Sequence, residues 1–184
     1  VCGDWRHLPL QRGSRDIVIG DGCFSMVKYP DEYRELARSL QHVLSPSGTC
    51  AFRFFLRPTP AVSIADVVAD LRAGRIGSFH VFKRRAGIAL QESVEKGIAV
   101  RTIWEWWEQS GISPEELSGL YGWSPDVVAT IDSYRDAPDV FTFPSFDEVR
   151  IVLRDLLMEV DCYYGTYEFG AWSPIIQFHP RPTT

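Results

Sequence analysis

Residues 3–24 are GDWRHLPLQRGSRDIVIGDGCF, and residues 32–58 are EYRELARSLQHVLSPSGTCAFRFFLRP. In the first stretch, residues 16–21 form a short apolar run bounded by charges and glycine, which is typical of a central strand in a parallel sheet. A helix is predicted after Pro30, and an aromatic-rich strand is predicted over residues 49–56. Strand, helix and strand in this order predict a right-handed parallel unit, and such sheets bind ligands at the carboxyl ends of their strands. The predicted helix carries one apolar stripe, formed by Tyr33, Leu36, Ala37, Leu40, Val43 and Leu44.

The remaining sequence divides into a helical segment and a return to the sheet. Residues 59–142 show consecutive helical patterns and no strand-like alternation, so they are predicted to form a helical insertion or lid. Residues 143–184 are predicted to form a final helix over 145–157 and two strands over 158–164 and 174–178. The short connection between these strands makes them an antiparallel pair. The helices predicted in the insertion span residues 62–71, 79–94, 100–109, 114–121 and 125–134.

Composition limits the classes of function. The chain has 184 residues and a formal net charge of -5, so it lacks the positive charge of a nucleic-acid-binding protein. Its one basic cluster, Lys83-Arg84-Arg85, favours a solvated helix face over a phosphate site. Four scattered cysteines without close pairs predict no metal site and a cytoplasmic protein with reduced thiols. No apolar stretch is long enough to cross a bilayer, so no membrane association is expected.

Segments at both ends of the chain carry a family resemblance, and together they cover about half of it. They are GDWRHLPL (3–10), SRDIVIGDGCF (14–24), LSPSGT (44–49) with the strand after it, and YEFGAWSPIIQF (167–178). In these segments the sequence resembles the class I S-adenosylmethionine-dependent methyltransferases, and specifically their small-molecule branch. The resemblance implies an α/β, Rossmann-like, mostly parallel sheet with an antiparallel last strand. It also implies S-adenosylmethionine as the cofactor.

The resemblance implies cofactor-binding roles for four residues. Asp4 matches the family acid after the third strand, which accepts a hydrogen bond from the adenine amino group, and Trp5 would pack on the adenine face. Asp21 and Gly22 end the fourth strand, near the methionine portion of the cofactor. These residue types suit the roles, because a carboxylate is a pure acceptor and glycine admits close backbone approach. Each of three residues also has a purely structural interpretation. Asp4 could cap a turn, Trp5 could be a core aromatic, and Asp21 could be a turn residue at the end of a strand.

The sequence departs from the family pattern at its start. The glycine-rich loop after the family's first strand and the acid that ends its second strand have no match in residues 1–184. The expected fold is therefore an N-terminally truncated sheet, in which residues 1–58 form the C-terminal part of the cofactor-binding sheet. The chain is then expected to be either a fragment of the enzyme or a form from which the missing strands were removed or lost.

The helical insertion offers candidate substrate-binding residues. Trp104 and Trp107 share a helix face, which suits core anchors, an aromatic-lined pocket or a subunit interface. His80 is a weak candidate for a general base. At the end of the predicted strand 16–21, the sequence Asp21-Gly22-Cys23-Phe24 differs from the polar-Pro-Pro-aromatic tetrapeptide of amino-group methylases, which argues against nucleic acid as substrate.

The leading hypothesis is methyl transfer from S-adenosylmethionine to a small-molecule acceptor. The alternative is a non-catalytic methyltransferase-like module whose helical insertion mediates self-association or protein binding, and a homodimer is compatible with either. A nicotinamide-dependent dehydrogenase has little support without its fingerprint.

Overall fold

The structure is a computed structural model, and it describes residues 3–182. The strands of the described residues are β1 (Arg15–Asp21), β2 (Leu44–Arg53), β3 (Ile98–Ala99), β4 (Val140–Phe141), β5 (Leu157–Tyr163) and β6 (Ile175–Pro180). The α-helices are α1 (Asp31–Val43), α2 (Ile64–Arg72), α3 (Phe79–Leu90), α4 (Val100–Gln109), α5 (Pro114–Tyr121), α6 (Pro125–Ala129) and α7 (Phe146–Leu153). Short 3-10 helices span Trp5–His7, Cys23–Met26, Thr130–Tyr134 and Gly170–Trp172.

The main sheet has the strand order β1-β2-β6-β5. β1 and β2 are parallel, and Asp21 at the end of β1 lies opposite Arg53 at the end of β2. β6 is antiparallel to both β2 and β5, so β5 runs in the same direction as β1 and β2. The predicted mostly parallel sheet with an antiparallel last strand is therefore confirmed, as is the parallel unit formed by β1, α1 and β2.

β1 lies at an edge of the described sheet, so the prediction of a central strand is wrong. Within residues 3–182, β1 pairs only with β2. Ile17 and Ile19 on one face are 68% and 79% exposed, whereas Val18 on the other face packs against the core. Side chains alternate across a strand, and an apolar run predicts burial on both faces. Here the described helices cover one face only.

α1 and α7 cover that face and build the first hydrophobic core. α1 has Asp31 and Glu32 in its first turn, where carboxylates interact favourably with the helix dipole. α7 begins with a capping box in which Ser145 and Glu148 each bond the other's backbone. The predicted apolar stripe of α1 is buried against the sheet, with Tyr33 fully enclosed.

Helices α2 to α6 pack around a second hydrophobic core. Serine side chains accept a hydrogen bond from the backbone N–H three residues later at the starts of α2, α3, α5 and α6, which stabilises these short helices. The predicted helical segment is confirmed with shifted boundaries. The helix predicted over 79–94 ends at Leu90, and the one predicted over 125–134 changes from α-helix to 3-10 helix after Ala129.

The expectation of no strand in residues 59–142 is wrong at two places. β3 and β4 form an antiparallel pair of two residues each, too short to give an alternating pattern in the sequence. Thr142, directly after β4, connects the β3–β4 pair to the sheet layer through hydrogen bonds. Its backbone N–H donates to Ser25 O at 3.0 Å, and its Oγ1 donates to Val27 O at 2.8 Å.

The domain boundaries at residues 58 and 142 stay a prediction. Phe55, Phe143 and Phe169 come from outside the helical segment, yet their side chains join its core. The two layers are therefore in extensive contact, and the space between them contains the cavity described next.

Candidate functional site

A cavity of about 340 Å³ lies between the carboxyl end of β1 and the helical layer. Its volume is in the range of small-molecule sites, and its position matches the ligand-binding edge of parallel sheets. Its walls are mostly apolar and aromatic, with one carboxylate and three basic side chains. The lining residues are Asp21, Gly22, Ser25, Met26, Phe55, His80, Lys83, Arg84, Ile103, Tyr134, Phe141 and Phe143.

Asp21 and Gly22 form the sheet side of the cavity. The Asp21 carboxylate makes a bidentate pair with Arg53, with Arg53 Nε 2.7 Å from Oδ1 and NH2 2.6 Å from Oδ2. Gly22 has φ 65°, and a Cβ at this position would lie 2.6 Å from the Phe55 ring. Only glycine therefore allows the chain to turn here beside the cavity without displacing Phe55.

Lys83 enters the cavity from α3 and is 6% exposed. Its Nζ donates to Thr130 Oγ1 at 2.9 Å and lies 4.8 Å from the Tyr134 ring centroid and 5.6 Å from that of Phe79. Among the described residues no carboxylate lies within 4.0 Å of this ammonium. Burial lowers the pKa of Lys83 to about 8, because desolvation disfavours the charged form.

Arg84 is the second cation on this wall. Its guanidinium carbon lies 3.6 Å from the Phe55 ring centroid, and NH1 donates to Ser173 Oγ at 3.4 Å. Arg85, next in sequence, pairs instead with Asp70. The interpretation of Lys83-Arg84-Arg85 as a solvated helix face is therefore wrong. A signal was available: Phe79 and Gly87 lie four residues before and after Lys83, on the buried face of the helix.

His80 lies one helical turn before Arg84 and also lines the cavity. Burial and the nearby Lys83 and Arg84 charges lower its pKa, in that order of size. The imidazole is therefore neutral at neutral pH, with a lone pair available to accept a proton. The structure thus brings together three of the predicted site residues: Asp21, Gly22 and His80.

Asp4 and Trp5 lie outside this cavity, in the 3-10 turn that packs against α1. Asp4 caps that turn and pairs with Arg6, which also bonds Glu32 Oε1 at 2.5 Å. The hydrogen bonds from the Arg6 side chain and backbone hold the pKa of Asp4 well below its ordinary value. Trp5 is 45% exposed, so part of its ring surface is accessible.

Trp104 and Trp107 do not line the cavity. Trp107 is 5% exposed and packs edge-on against Phe79 in the helical core. Trp104 donates from Nε1 to Asp132 Oδ1 at 3.3 Å and stacks with Arg135. Their role in substrate binding stays a prediction. In the sequence, the cluster with Lys83 and Arg84 allows a phosphate site but favours a solvated face, and nothing indicates the aromatic wall residues Phe55 and Tyr134.

A second cavity, of about 670 Å³, lies on another side of the helical layer. It is bounded by the connection from Pro58 to Val62 and by the loop from Gly165 to Trp172. Arg85, the one charged residue of its lining, is already paired with Asp70. Within the described residues, no group of three or more His, Cys, Asp or Glu side chains is placed to hold a metal ion.

Comparison with known proteins gives structural matches only. No family model and no curated protein matches the sequence. The structure is similar to a putative zinc-dependent alcohol dehydrogenase from Rhodobacter sphaeroides, with a TM-score of 0.56 and 14% identity over 97% of this chain and 65% of that one. It is also similar to a SAM-dependent methyltransferase from Methanosarcina mazei, with a TM-score of 0.50 and 10% identity over 96% of this chain and 64% of that one.

The chain has a Rossmann-like α/β fold. This fold confirms the predicted fold class, and matches at 14% and 10% identity show the fold alone. The chain spans less than two thirds of the length of either structure.

Proposed function

We propose that this chain acts in methyl transfer from S-adenosylmethionine to a small-molecule acceptor. The observation that carries the proposal is the cavity at the carboxyl end of β1, which Gly22 lines from the sheet and His80 from the helical layer. Its volume and mostly apolar walls suit a small acceptor. The Rossmann-like fold and the sequence resemblance support the same reaction.

The residues present fit the methyl-bearing end of the cofactor. Gly22 lines the cavity at the end of β1, and the Phe55 ring packs directly on it, since a Cβ at position 22 would lie 2.6 Å from that ring; the cofactor's methyl group would therefore lie beside this apolar wall. Asp4 and Trp5 remain the proposed adenine contacts, with the Trp5 ring accessible and Asp4 held by Arg6. The cofactor supplies an electrophilic methyl group, and the chain's own task is mainly alignment of the acceptor.

His80 is the proposed proton acceptor. Methyl transfer to a hydroxyl or amine leaves a proton on the acceptor atom, and a neutral imidazole on the cavity wall can take it up. The lowered pKa keeps His80 in the neutral form at neutral pH. Phe55, Ile103 and Phe143 form apolar walls around the place of the acceptor.

Titration calorimetry with S-adenosylhomocysteine tests this proposal, on the 184-residue chain and on the natural gene product that carries it. Gly22→Ala is expected to weaken binding at least tenfold, because its Cβ pushes Phe55 into the cavity. The matched control is Gly111→Ala, which has φ 68° but no neighbour within 4 Å. Both variants carry the cost of a left-handed residue, about 1 kcal/mol, so a difference in binding between them is due to the displaced Phe55 ring. Absence of binding to both wild-type proteins would contradict the proposal.

Self-association is a second candidate function, favoured by the exposed isoleucines of β1. Ile17 and Ile19 are 68% and 79% exposed on the edge strand of the described sheet, and such edges pair readily with another chain. Ile19→Lys is expected to convert a dimer to a monomer in light scattering, whereas Ile151→Lys, on α7, should leave the mass unchanged. A chain that is monomeric before substitution would exclude this candidate.

A cytoplasmic location without a membrane or nucleic-acid partner stays part of the proposal. Cys23, Cys50 and Cys162 are free thiols, which is typical of a reducing compartment. Within residues 3–182, no helix has the length and apolar character needed to span a bilayer.

A further inference from the structure

The cavity carries positive charge that the proposed methyl transfer does not use. Lys83 and Arg84 both line it, and neither forms an ion pair with a carboxylate of the described residues. Asp21, the one carboxylate in the lining, already forms a bidentate ion pair with Arg53. The chain as a whole has a net charge of -5, so this local excess of positive charge runs against the overall balance.

Most of the hydrogen-bond donors on these two side chains have no acceptor within residues 3–182. Lys83 has three N–H donors and bonds only Thr130 Oγ1, and Arg84 has five and bonds only Ser173 Oγ. Desolvated cations without a counterion are costly, and proteins normally pair them. The ring stacking of Arg84 on Phe55 fixes the guanidinium in place but satisfies none of its N–H groups.

We infer that Lys83 and Arg84 form an oxyanion-binding pair, and that the methyl acceptor is an apolar or aromatic small molecule bearing a carboxylate or phosphate group. The pair supplies charge-assisted hydrogen bonds to the anionic oxygens. The rings of Phe55, Tyr134 and Phe141 supply walls for the rest of the molecule. The role of this ligand as acceptor rests on the proposed methyl transfer, whereas binding of the anion does not.

The arrangement also assigns different places to the two reactants. A carboxylate or phosphate on the acceptor is drawn toward α3, which carries Lys83 and Arg84. The sulfonium of the cofactor is repelled by the same cations, so it is favoured on the sheet side of the cavity, near Gly22. Opposite preferences of this kind orient the acceptor relative to the methyl group before reaction.

An NMR titration of isoleucine methyl groups tests the pair, with Ile103 in the cavity wall and Ile151 on α7 as a distant reference. The probes are benzoate, phenyl phosphate and the neutral benzamide. Benzoate or phenyl phosphate is expected to shift the Ile103 signal at concentrations at which benzamide does not, and the tighter of the two anions identifies the oxyanion. An equal response to benzamide, or no response to either anion, would overturn the inference.

Substitution of Lys83 and of Arg84 tests whether these two residues bind the anion. Lys83→Met and Arg84→Met are each expected to weaken anion binding at least tenfold, the size of one lost charge-assisted bond. Lys96→Met and Arg101→Met, on exposed ion pairs, should leave it unchanged. Unaltered anion affinity in both cavity variants would overturn the inference.

Parallel titration with S-adenosylhomocysteine separates this inference from the proposed function. Its affinity is expected to be unchanged in Lys83→Met. If it falls as much as that of benzoate, the cations bind the carboxylate of the cofactor, and the inference is wrong. If wild-type protein binds benzoate but neither chain length binds S-adenosylhomocysteine, the methyltransferase proposal fails while the anion site stands.

Discussion

Phe24→Ala is expected to lower the free energy of unfolding by about 3–5 kcal/mol, the range for deleting a fully buried phenylalanine. Phe24 is 1% exposed and lies at the centre of an aromatic cluster. Its ring stacks on Phe54 at a centroid distance of 4.8 Å and meets those of Tyr33 and Phe52 at 5.1 and 5.2 Å. Truncation therefore leaves a cavity that three large rings cannot close.

The same substitution reaches the site, because Phe24 anchors the 3-10 turn that carries Ser25 and Met26 to the cavity wall. Urea unfolding gives the measurement, with Met26→Ala as the matched control in the same turn. Met26 is 45% exposed, so its truncation should cost far less. A loss below about 1 kcal/mol for Phe24→Ala, outside the range for core truncations, would contradict the packing described here.

Lys83→Met is expected to stabilise the protein below pH 8. Lys83 has a pKa of about 8 in the folded chain against an ordinary 10.5, so burying its charge costs about 3 kcal/mol at neutral pH. Methionine keeps the unbranched stem and removes the charge, at the loss of one hydrogen bond to Thr130 and the contact with the Tyr134 ring. The net gain should be about 1–2 kcal/mol.

The stability difference between Lys83→Met and wild type depends on pH. Between pH 8 and 10.5 unfolded Lys83 still binds a proton that the folded form has released, so wild-type stability rises with pH relative to the variant. The advantage of Lys83→Met therefore shrinks by about 3 kcal/mol across that window. Urea unfolding at several pH values measures it, with Lys96→Met as the control. A variant that is less stable than wild type at pH 7 would show that the ammonium stabilises the fold.

Phe24 and Lys83 differ in what they contribute. Phe24 stabilises the fold and also positions the cavity wall, so its loss should reduce stability and ligand binding together. Lys83 is expected to lower stability while it favours anion binding, the pattern of a residue retained for function.

Local patterns in the sequence predicted much of the fold. Ser113-Pro114 and Ser124-Pro125 begin α5 and α6, because the serine hydroxyl and the proline ring act within a few residues of the helix start. The strand–helix–strand unit and the terminal antiparallel pair likewise follow from periodicity and connection length. The edge position of β1 could not be predicted in this way, since an apolar run has the same sequence whether one face or both are covered.

The site was predicted only in part, because its residues come from distant segments. Asp21 and Gly22 could be predicted because they lie at the end of a strand. His80 could be predicted because an imidazole can act as a general base near neutral pH. Lys83 and Arg84 were misinterpreted because three basic residues in a row usually face solvent. Their burial depends on distant residues: Lys83 contacts Thr130 and Tyr134, and Arg84 contacts Phe55 and Ser173. Trp107 shows the reverse: its chemistry suits a binding site, but the fold places it in the core.

The most direct test of the account is a crystal structure of the protein with S-adenosylhomocysteine. The account predicts that the sulfur lies beside Gly22 and faces the cavity that His80, Lys83 and Arg84 line. A sulfur directed away from that cavity, or a ligand seated in the cavity between Pro58 and Trp172, would contradict it.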